Sequence, residues 1–160
     1  MTPEIAEYYR AMLLAGIRDK FDAAFERALI EEEPLSDLLL SLCTCISDSE
    51  QVLQILREYT LNFNIDEHCV YDLVLEDLRD RYLAGRMSGA DVVRTLYRIA
   101  SLRVTLLVDP WWNVQDTNYV LELYEDNIIN ESVFNQCFDA WFFHGKRLDP
   151  WALQHEANSH

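Results

Sequence analysis

Apolar residues recur at helical spacing along nearly the whole chain, and the pattern predicts an all-α protein. Thr2 reads as a helix N-cap with Pro3 at the first helical position, followed by Ile5, Tyr8, Tyr9, Met12 and Leu13. The same segment extends, across a break near Gly16, to Phe21, Phe25 and Leu29. Pro34 is expected to open a helix bearing Leu35, Leu38, Leu39, Leu42 and Ile46. Ser47-Asp48-Ser49-Glu50 has capping-box spacing and precedes a stripe of Val52, Ile55, Leu56, Tyr59 and Phe63.

The next segment is the most amphipathic. Tyr71, Val74, Leu75, Leu78 and Tyr82 form its apolar stripe, and Asp72, Glu76 and Asp80 fall on the opposite face. Gly85 ends it, and Ser88 with Asp91 three residues later starts a helix predicted from Val92 to about Val108. Val93, Leu96, Ile99, Ala100, Val104 and Leu107 make that helix apolar on most sides, which assigns it to the centre of the fold. Residues 104–108 also read as a short strand, although no partner strand is evident. Asp109-Pro110-Trp111-Trp112-Asn113 interrupts the pattern, because proline disfavours helix in the residue before it. Helices are then expected at about 117–127 and at 131–144, the second with Phe134, Cys137, Phe138 and Trp141 on one face and Gly145 at its end. The expectation is one compact all-helical domain of six to eight helices packed as hairpins over residues 1–145. Residues 146–160 form a short tail with one helical turn or more from Asp149-Pro150-Trp151. Weak internal echoes at offsets of 42 and 57 residues fit either a helical-repeat solenoid with a concave binding face or ordinary capped hairpins, and the unequal offsets favour the hairpins.

Composition supports a packed core and excludes several classes. Half of the 160 residues are hydrophobic, while four Gly and four Pro are too few for the many turns of a sandwich or barrel. No window resembles a membrane span, and Met1-Thr2-Pro3-Glu4 lacks the basic start and apolar run of a secretory signal, so a cytoplasmic location is expected. Cys43, Cys45, Cys69 and Cys137 do not resemble a small secreted disulfide framework and are expected as buried free thiols.

Charge changes the picture most. With 28 Asp+Glu against 13 Lys+Arg the net charge is −15, which opposes direct binding to nucleic acid or anionic membrane and favours a basic partner protein. Between Arg103 and Lys146 there is no Lys or Arg, while Asp109, Asp116, Glu122, Glu125, Asp126, Glu131 and Asp139 all occur. Trp111, Trp112, Tyr119 and Tyr124 lie in the same stretch. Aromatics in a charged surround are what energetic centres of interfaces look like. The expected partner-binding residues are therefore Asp109, Trp111, Trp112, Asp116, Tyr119, Glu122, Glu125, Asp126 and Glu131, with Asp72, Glu76 and Asp80 as a second acidic face. The alternative places the tryptophans in the core and the acids on a solvated face. Arginine supplies 11 of the 13 basic residues, and Arg98 and Arg103 on the central helix are the expected buried ion-pair partners.

Catalytic chemistry finds little material. There is no Gly-x-Ser-x-Gly elbow, cysteine nucleophile turn or phosphate-binding glycine loop. Asp66-Glu67-His68-Cys69 offers metal-ligand types, but consecutive helical residues point in different directions, and His144, His155 and His160 are scattered. Neither a catalytic residue nor a metal nor any cofactor is expected.

Leu96-Tyr97-Arg98-Ile99-Ala100, the turn Asp109-Pro110-Trp111-Trp112, and the hairpin from Leu123-Tyr124-Glu125-Asp126 to Val133-Phe134 lie in a compact acidic chain without a catalytic motif. In this the chain resembles the small acidic helical immunity proteins that bacteria pair with secreted toxins. The resemblance implies a non-enzymatic inhibitor that occludes the basic substrate-binding surface of a nuclease or other toxin domain. A nucleic-acid-mimicking regulator, a helical adaptor or scaffold with an apolar groove, and an enzyme with a non-local site are the alternatives.

Overall fold

The computed structural model describes residues 1–159, and among them the chain is all-helical with no strand. Nine helices follow one another: α1 (Pro3–Leu14), α2 (Asp19–Glu31), α3 (Asp37–Cys43), α4 (Ser49–Thr60), α5 (Glu67–Leu83), α6 (Gly89–Leu102), α7 (Asn113–Glu125), α8 (Glu131–His144) and α9 (Pro150–Asn158). The number exceeds the expected six to eight because the first segment is two helices. Gly16 adopts a left-handed φ of 79°, and Ile17 N–H bonds back to the Met12 carbonyl at 2.9 Å, which closes α1 before α2 begins. None of these helices is long and apolar enough to cross a membrane. Contacts group into two compact units, Met1 to Leu75 and Glu76 onward, and the boundary falls within α5.

In the first unit α1 and α3 pack on α4, and α2 packs on α3. Phe21, Phe25, Leu39, Leu42, Val52 and Leu56 form the core. Arg18 pairs with Asp22 at 2.9 Å and donates to the Ile46 carbonyl at 3.0 Å, which fixes the start of α2 against the turn after α3. Glu7, buried, is held by Arg10 at 2.6 Å. Two starting signals differ from the sequence reading. Ser36 rather than Pro34 caps α3, its hydroxyl accepting from Leu39 N–H at 3.3 Å. Asp48 rather than Ser47 caps α4, its carboxylate accepting from the N–H groups of Glu50 and Gln51 at 3.2 and 3.3 Å. Helix α4 also ends before Phe63. The Thr60 hydroxyl donates to the Arg57 carbonyl at 3.1 Å and the Asn62 amide to the Glu58 carbonyl at 3.1 Å, local bonds that compete with helix continuation.

In the second unit α6 packs on α7, α7 on α8, and α8 on α9. Ser88 and Asp91 exchange both capping-box bonds at 3.1 Å, and those bonds hold the Asp91 carboxyl below its ordinary pKa. Trp111, Phe138, Phe142, Leu78, Leu96, Ile99 and Leu121 are fully buried. At Gly89 a Cβ would come within 3.1 Å of the Phe138 ring, so the first turn of α6 and the middle of α8 meet at a position suited to glycine. Arg79 donates to the Phe142 carbonyl at 2.9 and 3.0 Å, satisfying an acceptor near the end of α8. The predicted tail is the nine-residue α9, capped by Asp149 and tied back by Gln154, whose side chain accepts from Asn130 N–H at 2.7 Å.

The sequence reading extends the central helix to Val108, and the structure corrects this. Helix α6 stops at Leu102, and residues 104–108 form neither helix nor strand. Val104 takes a left-handed φ of 58°, with Val104 N–H bonding the Ser101 carbonyl at 3.1 Å and Thr105 N–H the Ala100 carbonyl at 2.8 Å. This is the stop that glycine makes at Gly16, built here on a β-branched residue and so invisible as a sequence signal. Val104 and Leu107, expected in the apolar stripe of a buried helix, are 86% and 90% exposed.

Holding valine in the left-handed region is strained, and Val104 recovers no burial in return. Replacing Val104 by Gly should raise stability by about 1 kcal/mol, seen as a higher denaturant midpoint with an unchanged slope. An unchanged or lowered midpoint would show that the strain is relieved in another way.

Candidate partner-binding surface

Helix α7 carries Asp116, Tyr119, Glu122 and Glu125, four of the nine residues singled out for binding. Val114, Thr117 and Leu121 face the core, and that spacing turns Asp116, Tyr119, Glu122 and Asp126 outward. Glu125 and Glu131 are exposed as well. Tyr119 is 47% exposed and its hydroxyl accepts from the Trp151 indole N–H at 3.0 Å. The two neighbouring tryptophans separate. Trp112 is 42% exposed, its indole N–H donating to Asp109 at 3.1 Å. Trp111 is fully buried beneath the guanidinium of Arg103, 5.2 Å from the ring centroid, and is core rather than a surface anchor.

Two of the acids are already engaged within the fold. Asp116 pairs with Arg147 at 2.7 Å, and Glu125 pairs with Arg94. Arg147 also donates to the Asn113 side chain at 2.7 Å and lies 4.6 Å over the Trp112 ring. Glu122 accepts a hydrogen bond from Asn118 at 3.2 Å; like Asp126 and Glu131, it engages no Lys or Arg among the described residues. On α5, Asp72 in the first unit and Glu76 and Asp80 in the second are all exposed, as the helical spacing implies.

Of the two arginines expected as paired, partly buried charges, Arg98 is exposed, while Arg103 is partly buried and stacks on Trp111. The buried carboxylates are Glu7, paired with Arg10, and Asp77, 2% exposed and paired with Arg81 at 2.8 Å. The available signal was register: Asp77 is one position past Glu76, on the apolar side of α5 between Val74 and Leu78, with an arginine four residues on.

Of the residues weighed for metal binding, Asp66 has a structural role. Asp66 accepts from His68 and Cys69 N–H at 3.0 and 3.3 Å and so caps α5. Among the described residues no group of three or more His, Cys, Asp or Glu is placed to hold a metal ion; His160 lies outside them. All four cysteines are free, but only Cys45 and Cys137 are buried. Cys43 and Cys69 are exposed, which corrects the expectation of four buried thiols. Each occupies the polar side of a short or amphipathic helix.

The second unit also contains a cleft of about 160 Å³ between α7, α8 and the segment leading to α9. Phe134, Cys137, Phe138 and Trp141 supply apolar lining, and Lys146 and Arg147 line it from the chain after α8. The sequence analysis did not identify it. The signal was present in charge order: beyond Arg103, Lys146 and Arg147 are the only basic residues in the chain.

No family model matches this chain, and no curated protein or solved structure matches it either.

Burial first, and then the charge of Asp149, raise the pKa of the Cys137 thiol; for the exposed Cys69, slight local desolvation and the neighbouring Asp66, Glu4 and Asp72 act in the same direction. Neither has the electropositive setting of a reactive cysteine. At pH 7.5 iodoacetamide should alkylate Cys137 at least tenfold more slowly than an unstructured peptide thiol, with the rate rising as pH is increased, read by peptide mass mapping. Rapid modification at neutral pH would reveal an activated thiolate.

Proposed function

We propose that this protein is a non-enzymatic acidic binding protein that captures and neutralises a basic partner protein, as an immunity protein does with a toxin domain. The observation that carries the reading is the coincidence of unpaired charge and exposed aromatic surface on one segment. Glu122, Asp126 and Glu131 stand in solvent without an internal cation among the described residues, and Trp112 and Tyr119 are half-exposed in the same stretch. The loop leading into it adds Val104 and Leu107 as apolar tips. Acids steer a basic surface into encounter, and rigid amphipathic aromatics supply contact area at small entropic cost.

The arrangement also divides the acids by role. Asp116 and Glu125 hold Arg147 and Arg94, so charge reversal there perturbs the domain itself. Glu122, Asp126 and Glu131 are the residues whose charge is available to a partner.

The test is binding kinetics with the partner recovered by affinity capture from the source cells. Association should slow at least tenfold between 0.1 and 1 M salt, as the Debye length falls from about 10 Å to about 3 Å, while dissociation changes less. The triple variant Glu122→Lys, Asp126→Lys, Glu131→Lys should lower the on-rate about tenfold with the melting temperature retained. Trp112→Ala should act mainly on the off-rate. Salt-independent association, with the triple variant binding like wild type, overturns the reading.

A further inference from the structure

The cleft beside α8 combines aromatic walls with two basic residues. Its size, about 160 Å³, is close to that of the roughly 150 Å³ apolar cavity known to accept benzene, so it has room for one six-membered ring. Phe134, Phe138, Trp141 and Cys137 give it the apolar lining of a small-molecule site. Ring faces are already ordered there: Phe138 lies 6.1 Å from Phe134 and 6.4 Å from Trp141 between centroids.

Asp116, Lys146 and Arg147 are the charged residues lining the cleft, Asp149 acts on Cys137 from nearby, and the two cations differ in availability. Arg147 is committed to Asp116, Asn113 and the Trp112 ring. Lys146 makes no ion pair among the described residues, although acids outnumber bases by more than two to one. Its backbone N–H bonds the Ala140 carbonyl at 3.0 Å, which anchors the residue where it lines the cleft. A slot for one ring with apolar walls, lined also by a lysine that makes no ion pair among the described residues, matches a ligand having one ring and one negative charge.

We propose that this cleft is a binding site for a small aromatic monocarboxylate, with the ring against Phe138 and Trp141 and the carboxylate on Lys146. The cleft shares Asp116 and Tyr119 with the partner-binding stretch, but small-molecule binding and partner kinetics are read separately, so each proposal can fail without the other. Arg147 positions the mouth by holding Asp116 and does not take the ligand.

The experiment uses the full chain and three probes of one shape: phenylacetate, neutral phenylacetamide and cationic phenethylamine. Binding is followed by the tryptophan indole signals in nitrogen-15 spectra and by protection of Cys137 from alkylation, mapped by mass spectrometry. Phenylacetate should bind about fivefold tighter than the amide, the amine should bind weakest, and protection should fall on Cys137 while Cys43 and Cys69 react as before. Lys146→Gln keeps the backbone bond to Ala140 and should abolish the preference for phenylacetate over phenylacetamide while leaving amide binding unchanged. Val120→Phe, from α7, should block all three probes by filling the cleft. Circular dichroism confirms that both variants remain folded, and if Val120→Phe does not fold the Lys146→Gln comparison alone decides. No binding, equal binding of the three probes to wild type, binding without protection of Cys137, or a carboxylate preference that survives Lys146→Gln each overturns the proposal.

Discussion

A shortage of cations governs how this protein is put together. With 28 acids and 13 bases, few positive charges are available, and the structure places several of them at junctions. Arg18 joins the start of α2 to the turn after α3, Arg79 satisfies a carbonyl near the end of α8, and Arg81 neutralises the buried Asp77. Arg94 and Arg147 each fasten α7 to other parts of the second unit. A bidentate, permanently charged guanidinium serves such positions better than an ammonium, which accounts for the near-absence of lysine. The acids left over cannot be paired internally, so the outward negative charge follows from how the interior is assembled.

That division also explains why aromatic residues have separate destinies within a few positions. Trp111 is covered by Arg103 and lost to the surface, while Trp112 is sandwiched only on the Arg147 side and stays half-exposed. Tyr119 is kept in place by a hydrogen bond from Trp151 without being buried. The α9 helix therefore helps to orient an exposed ring of α7, although from sequence it reads as a short tail.

Most of the helical architecture was legible in the chain because it rests on local rules. Glu131 to His144 follows from a stripe and a terminal glycine, and the Ser88–Asp91 capping box appears as its spacing implies. The failures occur where tertiary context overrides a local signal. Val104 performs a glycine's task, so no punctuation marks the end of α6. Pro34 lies before a helix that Ser36 actually caps. The acids proposed for binding are indeed exposed, but the split between paired Asp116 and Glu125 and unpaired Glu122, Asp126 and Glu131 depends on arginines 31 residues away from each, which no pattern within one helix reveals. The cleft was missed for the same reason, since α7, α8 and residues after Gly145 contribute to it together.

The exposed loop after α6 has a colloidal consequence. At neutral pH a net charge of −15 keeps copies of the molecule apart, and apolar tips such as Val104 and Leu107 are harmless in dilute solution. Titrating the carboxylates toward the isoelectric point near 4.4 removes that repulsion without hiding the tips. The exposed apolar side chains, those of the loop among them, are then free to associate, so solubility falls as the pH nears that point.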